Sequence, residues 1–424
     1  MRRLVSLLLA LLLLTACSID NGFTADPADT GNNELIVQDF PTPSDTPAND
    51  TREDDSETNT PDFSEPSDSP IVDTEPDIVE PVIYDAYLFP DAFLESPVNR
   101  NDKTRFSDSY YDLIASFHHD DKRADLMEKI VAQTSDENIY NHLRVLTKEI
   151  GSRAVSVAGN KKAQEYLQTE LNQLGFTYEN GTLKNQGFYA NNHYTENVIA
   201  TLPSENPDAK TLILSAHYDS PLEGESAIDN ASGVASLLEI VRILTESGIA
   251  FDLEIQFCFF SSEEIWYGGA FEYLNCLTKE EKDRLFGILN MDMTGYADVD
   301  ALNSLVVCTK PDPSRGDDLP PESNIISRSI VKAYNEMDFF ADRFYSPTNV
   351  GKHDIVPFYK AGITNCVTIQ WREIDPIHAN GGPFDLASPS TIHTPYDTLE
   401  RFNTDSIYIM TRLIIRSILH LVNC

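Results

Sequence analysis

The stretch from Thr211 to Asp219 reads TLILSAHYD, an apolar run that ends at an imidazole and a carboxylate. A run without alternating polar positions is typical of a strand covered on both faces. Three more runs of this kind follow, with a helical stretch at roughly 232–245 between the first two. This rhythm predicts an α/β fold of three layers, with helices on both faces of a mostly parallel, mixed β-sheet. The predicted strands are Thr211–Ala216, Leu253–Phe260, Phe286–Met291 and Ile363–Trp371.

Polar side chains stand at the ends of three of these strands. His217 and Asp219 follow the first strand, Glu263 and Glu264 follow the second, and Asp292 ends the third. Sites in open α/β sheets form beyond the carboxyl ends of the strands. We therefore expect these side chains to meet at one edge of the sheet.

Two further residues can close over that edge. Asp229 precedes the predicted helix in the segment DNASG, and His393 lies in a late loop. Zinc accepts imidazole nitrogen and carboxylate oxygen as ligands. Each fragment has an ordinary alternative, since Asp caps helices well and adjacent glutamates usually face solvent. The joint occurrence of all these fragments, in this order along the chain, favours a centre that holds two zinc ions.

The charge of the chain is unevenly distributed. The formal net charge of the 424 residues is -37, which argues against a nucleic-acid partner because a phosphate-binding face must be basic. Residues 18–85 carry 19 acidic side chains and a single basic one, Arg52. Such a segment cannot bury enough apolar surface to offset its ordering entropy. We interpret it as a disordered tether rich in Pro, Ser and Thr, with an acidic binding tail as the alternative.

Residues 1–17 have the pattern of an export signal. Arg2 and Arg3 precede the apolar run Leu4–Leu14, which is too short to span a bilayer. The ending LTAC at Cys17 resembles the lipobox of bacterial lipoproteins and implies a lipid on that cysteine. A plain secretion signal is the alternative. We expect an exported bacterial lipoprotein that is anchored to the outer side of the cell membrane.

The folded part is predicted to begin near residue 86. Residues 86–150 form a helical segment that packs on the main domain, residues 151–424. Apolar residues recur at helical spacing from Ile139 to Ile150, and Gly151 ends the pattern.

The chain resembles the secreted zinc aminopeptidases of metallopeptidase family 28, whose relatives include some carboxypeptidases and the glutaminyl cyclases. The resemblance runs from about Leu146 to the C-terminus. It rests on EIGSR from Glu149, ENVIA from Glu196 and the polar fragments described above. It implies the zinc-exopeptidase fold and an enzyme that hydrolyses N-terminal residues from peptides.

The resemblance also implies a ligand set for two zinc ions. Asp229 would bridge the ions. Glu264 and His393 would complete one of them, and His217 and Asp292 would complete the other.

The resemblance implies that Glu263 is the general base. It would remove a proton from the zinc-bound water or hydroxide that attacks the peptide carbonyl, and pass it to the leaving amine. Asp219 would accept a hydrogen bond from His217 and fix its tautomer.

Three features depart from the family pattern. The family's glutamate pair is commonly followed by Gly-Leu-x-Gly, whereas here the pair is followed by IWYGG, residues 265–269. Trp266 and Tyr267 in this segment either shape the substrate pocket or pack. Ile355, in the segment HDIVPF, replaces a usual histidine, which affects oxyanion and specificity contacts. His378 competes with His393 as the late ligand, but IHTPYDT around His393 matches the family ending.

Two other functions remain open. One is a glutaminyl cyclase-like aminoacyltransferase with one zinc, which metal content would distinguish. The other is a non-catalytic, lipid-anchored binding protein. Glu263 beside a full ligand set argues against a binder, because a binder needs no proton shuttle. The sequence does not separate an aminopeptidase from a carboxypeptidase.

Overall fold

The computed structural model describes residues 121–297, 303–308, 324–337, 343–348, 353–374, 386–387 and 391–422. Within them the helices are α1 Asp121–Val131, α2 Asp136–Arg144, α3 Ala158–Gln173, α4 Gly233–Glu246, α5 Gly268–Asn275, α6 Lys279–Asp283, α7 Ile325–Glu336, α8 Ile355–Lys360 and α9 Thr404–Leu421. The strands are β1 Leu183–Ala190, β2 His193–Leu202, β3 Thr211–His217, β4 Glu254–Phe260, β5 Leu285–Met291, β6 Tyr296–Ala297, β7 Asn303–Cys308, β8 Arg343–Thr348, β9 Cys366–Ile374, β10 Leu386–Ala387 and β11 Phe402–Asn403.

The described strands form one large mixed sheet and one small sheet. The order in the large sheet is β1-β2-β4-β3-β5-β9-β7-β8, with β10 paired to β9. The central strands β4, β3, β5 and β9 are mutually parallel, whereas β2 joins β4, and β7 joins β9, in antiparallel fashion. Strands β11 and β6 form the small antiparallel sheet.

Helices cover both faces of the large sheet. In β3, Leu212 and Leu214 pack into the larger core cluster, to which helices α4 and α9 also contribute. Ile213 lies in a second cluster, to which α5 and α8 contribute. Because both faces are buried, β3 tolerates no alternation of polar residues. The predicted α/β class, with a mixed sheet between two helical layers, is confirmed.

The segment before the main domain is helical where the structure describes it. Ile139 and Leu143 of α2 are fully buried in the larger core. A π-helical turn, Val145–Ile150, extends α2 to Gly151, whose φ of 76° ends the helix as predicted. The N-cap Ser135 donates its N–H to the buried Glu239 of α4 at 2.6 Å, so this segment is fastened to the main domain.

Several predicted segments lie outside the described residues. They are the signal with Cys17, the tether 18–85, residues 86–120 and His378. Within the described part of the chain, no helix combines the length and hydropathy needed for a membrane span.

Candidate metal centre

The register of the parallel strands brings the predicted polar residues to one edge. His217 ends β3 opposite Phe260 of β4, so Glu263 and Glu264 follow β4 beside it. Ser215 of β3 pairs with Asn290 of β5, which places Asp292 level with His217. The continuous apolar strands thus determine where the charged side chains emerge.

Asp229 lies between two imidazoles. Its Oδ1 is 3.2 Å from Nε2 of His217, and its Oδ2 is 3.0 Å from Nε2 of His393. On one side, Asp292 Oδ1 is 3.6 Å from His217 Nε2. On the other, Glu264 Oε2 is 3.4 Å from His393 Nε2. Two groups of three ligand atoms therefore share Asp229, and each group lies within 4.8 Å.

The donor set fits a pair of zinc ions. Both ring nitrogens of His217, Oε1 of Glu264 and Oδ1 of Asp292 are buried without a hydrogen-bond partner. Such atoms are costly unless a ligand satisfies them. Nitrogen and carboxylate oxygen in sets of three match zinc, which needs a further open position for chemistry.

Asp219 and Asp397 hold the backbone of the ligand loops. Asp219 accepts the N–H groups of Glu263 and Glu264 at 3.0 and 3.3 Å. Asp397 accepts the N–H groups of Ile228 and Asp229 at 2.7 and 3.1 Å. The two carboxylates thereby fix the backbone that carries Glu263 and Glu264 and the backbone that carries Asp229.

The predicted bond between Asp219 and His217 is not formed in this geometry. The distance from His217 Nδ1 to Asp219 Oδ1 is 3.5 Å, longer than a normal hydrogen bond. Asp219 is occupied by the two backbone donors instead. Its role in orienting His217 stays a prediction.

The buried side chain of Asn230 helps to set the position of Asp229. The peptide bond between Asp229 and Asn230 is cis. The Asn230 amide donates to Met291 O at 2.9 Å and accepts from Gly233 N and Met293 N at 2.9 and 3.1 Å. Asn230 therefore ties this turn to the end of β5.

Arg153 fastens the chain between His217 and Asp229. Its fully buried guanidinium donates to Tyr218 O at 2.9 Å, Glu225 O at 3.0 Å and Ser226 O at 3.0 Å. Burial lowers its pKa to about 10. All three carbonyls belong to the loop that joins His217 to Asp229, so the hydrogen bonds from Arg153 hold that loop in its conformation.

The electrostatics of the site favour bound cations. Burial raises the pKa of Glu263 well above its usual range, and burial with the Asp229 charge raises that of Glu264 to about 8. Burial by itself would lower the pKa of His217, but the neighbouring carboxylates of Asp219, Asp229 and Asp292 outweigh burial and raise the pKa well above its usual value. Carboxylates this close repel one another, and a metal ion relieves that repulsion.

The loop after the glutamates departs from ordinary backbone geometry. Trp266 and Tyr267 have φ values of 63° and 60°, a left-handed conformation that is uncommon for bulky residues. Tyr267 is buried in the smaller core, whereas Trp266 is 72% exposed. One aromatic therefore packs and the other stands at the surface.

A cleft of about 420 Å³ opens beside Glu264. Its walls come from the loop after Arg153, the β1–β2 turn and the loop after β3. They include Val155, Asn191 and Leu222. The cleft gives an extended ligand access to the edge of the ligand set.

Sequence reasoning gave no role to several residues of the site. Asp397 and Arg153 lie in quoted motifs, but their hydrogen bonds depend on tertiary structure. His353 lies 2.6 Å from Asp292, and Asp354 is fully buried with both carboxylate oxygens unpartnered. Burial raises the pKa of Asp354 to about 7. The only sequence signal was the segment HDIVPF.

Residues 197–418 match the sequence profile of Peptidase family M28. This range contains the whole ligand set and more than half of the chain. The chain belongs to peptidase family M28. The resemblance inferred from the motifs is thereby confirmed.

Several known proteins are similar to this chain in sequence or in fold. Aminopeptidase YwaD of Bacillus subtilis is 26% identical over 308 residues, which cover 68% of this chain and 61% of that protein. This chain thus spans less than two thirds of that relative. The structure of BSAP, a zinc aminopeptidase from Bacillus subtilis, superposes with a TM-score of 0.57 at 17% identity, covering 68% and 95% of the two chains. Porphyromonas gingivalis glutaminyl cyclase gives a TM-score of 0.51 at 20% identity, covering 67% and 97%.

Proposed function

We propose that this M28 chain is a zinc-dependent aminopeptidase that removes N-terminal residues from peptides. The observation that carries the proposal is the position of Asp229, whose two oxygens each face a different imidazole. A single carboxylate between two ligand groups is the arrangement that a co-catalytic metal pair requires. The aminopeptidase names of the relatives support the choice of substrate.

The two ions would be held by two groups of side chains that share Asp229. His217 and Asp292 with Asp229 would hold one zinc, and Glu264 and His393 with Asp229 would hold the other. Zinc in such a site supplies Lewis acidity, which polarises the scissile carbonyl and makes water a nucleophile near neutral pH.

Glu263 is proposed to move the proton. Its carboxylate takes a proton from the attacking water and gives it to the nitrogen of the leaving amine as the C–N bond breaks. The hydrogen bond from the backbone N–H of Glu263 to the Asp219 carboxylate holds the backbone of Glu263 in place. The cleft beside Glu264 leaves space for a peptide, which supports a peptide rather than a small amide as substrate.

The proposal is tested with the full chain. Its zinc content is measured together with hydrolysis of a leucine chromogenic amide, an N-acetylated peptide and the same peptide unblocked. An aminopeptidase cleaves only substrates with a free N-terminus. One zinc per chain with cyclisation of N-terminal Gln would favour a glutaminyl cyclase-like enzyme, and neither activity would favour a binding protein.

Glu263→Gln separates the two glutamates. We expect this variant to keep its zinc and to lose at least about a hundredfold in kcat, the usual scale for general acid–base catalysis. Glu264→Gln is the matched variant and should lose metal. Loss of zinc from Glu263→Gln, with zinc retained in Glu264→Gln, would mean that the assigned roles are exchanged.

We also propose that the chain is a lipoprotein attached to the membrane through Cys17. The support is the basic pair, the short apolar run and the LTAC ending. A Cys17→Ala variant should move from the membrane fraction to the soluble fraction of the producing cells. Unchanged fractionation would contradict the anchor.

A further inference from the structure

The ligand Asp292 is contacted by an imidazole that the mechanism does not use. His353 Nδ1 lies 2.6 Å from Asp292 Oδ2, and both side chains are buried. The other oxygen, Oδ1, has no hydrogen-bond partner and faces His217. One oxygen of Asp292 is thus engaged away from the proposed zinc position, and the other is presented to it.

The proton on His353 can be located from its neighbours. Arg372 donates from Nε to Oε1 of Gln370 at 3.2 Å, and a guanidinium can only donate. This contact requires the oxygen of the Gln370 amide to point toward Arg372. The amide nitrogen must then face the opposite way.

The Gln370 amide nitrogen reaches two atoms. It donates to Cys308 Sγ at 3.0 Å and lies 3.3 Å from His353 Nε2. Since an amide N–H group faces this ring nitrogen, Nε2 must accept. Nδ1 then carries a proton, which it can donate to Asp292 Oδ2.

The strands hold this chain of donors in register. Gln370 and Arg372 lie on one face of β9, and β5 pairs with β9 through Met291 and Ile369, one residue before Asp292 and Gln370. Every member is buried: Asp292 at 3%, His353 at 4%, Gln370 at 0% and Arg372 at 7% exposure. Buried polar chains of this kind are rigid when each member is satisfied.

We propose that Arg372, Gln370 and His353 form a relay that orients Asp292 and thereby strengthens zinc binding on the His217 side. Hydrogen bonds to the outer atoms of metal ligands typically change metal affinity by about 10–100-fold. His353 is a positioning residue in this scheme. Neither of its nitrogens is left for a metal, although it lies near Glu263 and Asp292 in a group that could hold one.

The inference rests on the proposed zinc site, and zinc binding itself is the measurement. The full chain is stripped of metal and titrated with zinc against a chromogenic chelator, which gives two dissociation constants. His353→Leu removes the donor at similar volume. His353→Asn places an amide N–H where Nδ1 stands, and Gln370→Met removes the group that fixes the tautomer.

We expect His353→Leu to weaken one zinc about 10–100-fold and to leave the other within about threefold. His353→Asn should restore the affinity, and Gln370→Met should fall between them. The thermal unfolding of the metal-free Leu and Asn variants should agree, so that a general loss of stability is excluded. If His353→Leu does not fold, the zinc affinities of His353→Asn and Gln370→Met still test the relay.

Two outcomes overturn the relay while leaving the proposed function intact. One is a wild-type chain with two zincs whose affinities are unchanged in His353→Leu or Gln370→Met. The other is an Asn variant that loses one full equivalent of zinc, which would make His353 a direct ligand. A wild-type chain that binds no zinc would instead overturn the proposed function.

Discussion

The two halves of the candidate metal centre differ in how they are built. On one side, the side chains of His217 and Asp292 are 1% and 5% exposed and stand at the ends of central strands. On the other, those of His393 and Glu264 are 55% and 15% exposed and stand on loops. The buried half is held by the sheet and by the relay through His353. The open half depends on the backbone hydrogen bonds that Asp219 and Asp397 accept. Solvent and the cleft beside Glu264 reach the site on this side.

This difference implies a division of labour between the halves. A ligand pair that cannot move holds an ion in fixed geometry, whereas an exposed pair can admit water and substrate. We therefore expect the buried half to bind zinc more tightly and the open half to exchange it faster. Asp229 belongs to both and couples them.

The largest effect should come from breaking that coupling. Asp229→Ala removes one ligand from each half at once. We expect both zincs to be lost in dialysis and activity to fall by more than about 100-fold, because loss of a ligand exceeds loss of an outer partner. Metal analysis with activity assays checks this. A variant that retains both ions would show that Asp229 does not bridge.

A smaller effect should separate the halves. His393→Ala should lose only the open-side zinc, and excess zinc should restore part of the activity. The matched variant His217→Ala should lose the buried zinc, with no recovery in excess metal because its neighbours cannot rearrange. Timed chelation of the wild type should show one fast and one slow ion. Two ions released at equal rates would remove the distinction between the halves.

The smallest effect concerns the stability of the folded chain in acid. Unfolding at low pH would also abolish activity, so it must be separated from loss of metal from either half of the site. Burial and then Arg242 lower the pKa of His142 to about 4, and its Nδ1 lies 2.7 Å from the Tyr166 hydroxyl. The unfolded chain takes up a proton near pH 6.5, which the folded chain refuses until about pH 4. Stability should therefore fall as pH drops through this window, by at most about 3 kcal/mol.

His142→Asn keeps an acceptor for the Tyr166 hydroxyl but does not titrate. Denaturant unfolding of the metal-free chain between pH 7 and pH 4 should give a flatter profile for this variant. An equal slope in both proteins would assign the acid sensitivity to other groups. A loss of activity at a pH above that range would then be attributed to the metal centre and not to unfolding of the chain.

The fold, and the meeting of the polar side chains at one edge of the sheet, could be predicted from the sequence because both depend on local pattern. Apolar runs such as 211–216 are typical of strands covered on both faces, and polar residues that follow parallel strands meet at one edge of the sheet. The segment with His393 required the family resemblance, since a lone histidine in a loop carries no geometric information.

What the sequence could not predict depends on register and on loop packing. Gln370 reaches His353 only because β9 lies beside β5 in a particular alignment. The bonds from Asp397 to the turn at Asp229 span 168 residues. The prediction that Asp219 accepts from His217 did not foresee that two backbone donors would occupy that carboxylate.

The side chain of Asn230 has a mechanical consequence. It joins the turn that carries Asp229 to the chain on both sides of Asp292, through Met291 O and Met293 N. The main chain therefore sets the distance between the carboxylates of Asp229 and Asp292 before any ion binds. We therefore expect the metal-free protein to hold both carboxylates in position, so that it can bind metal without first folding around it.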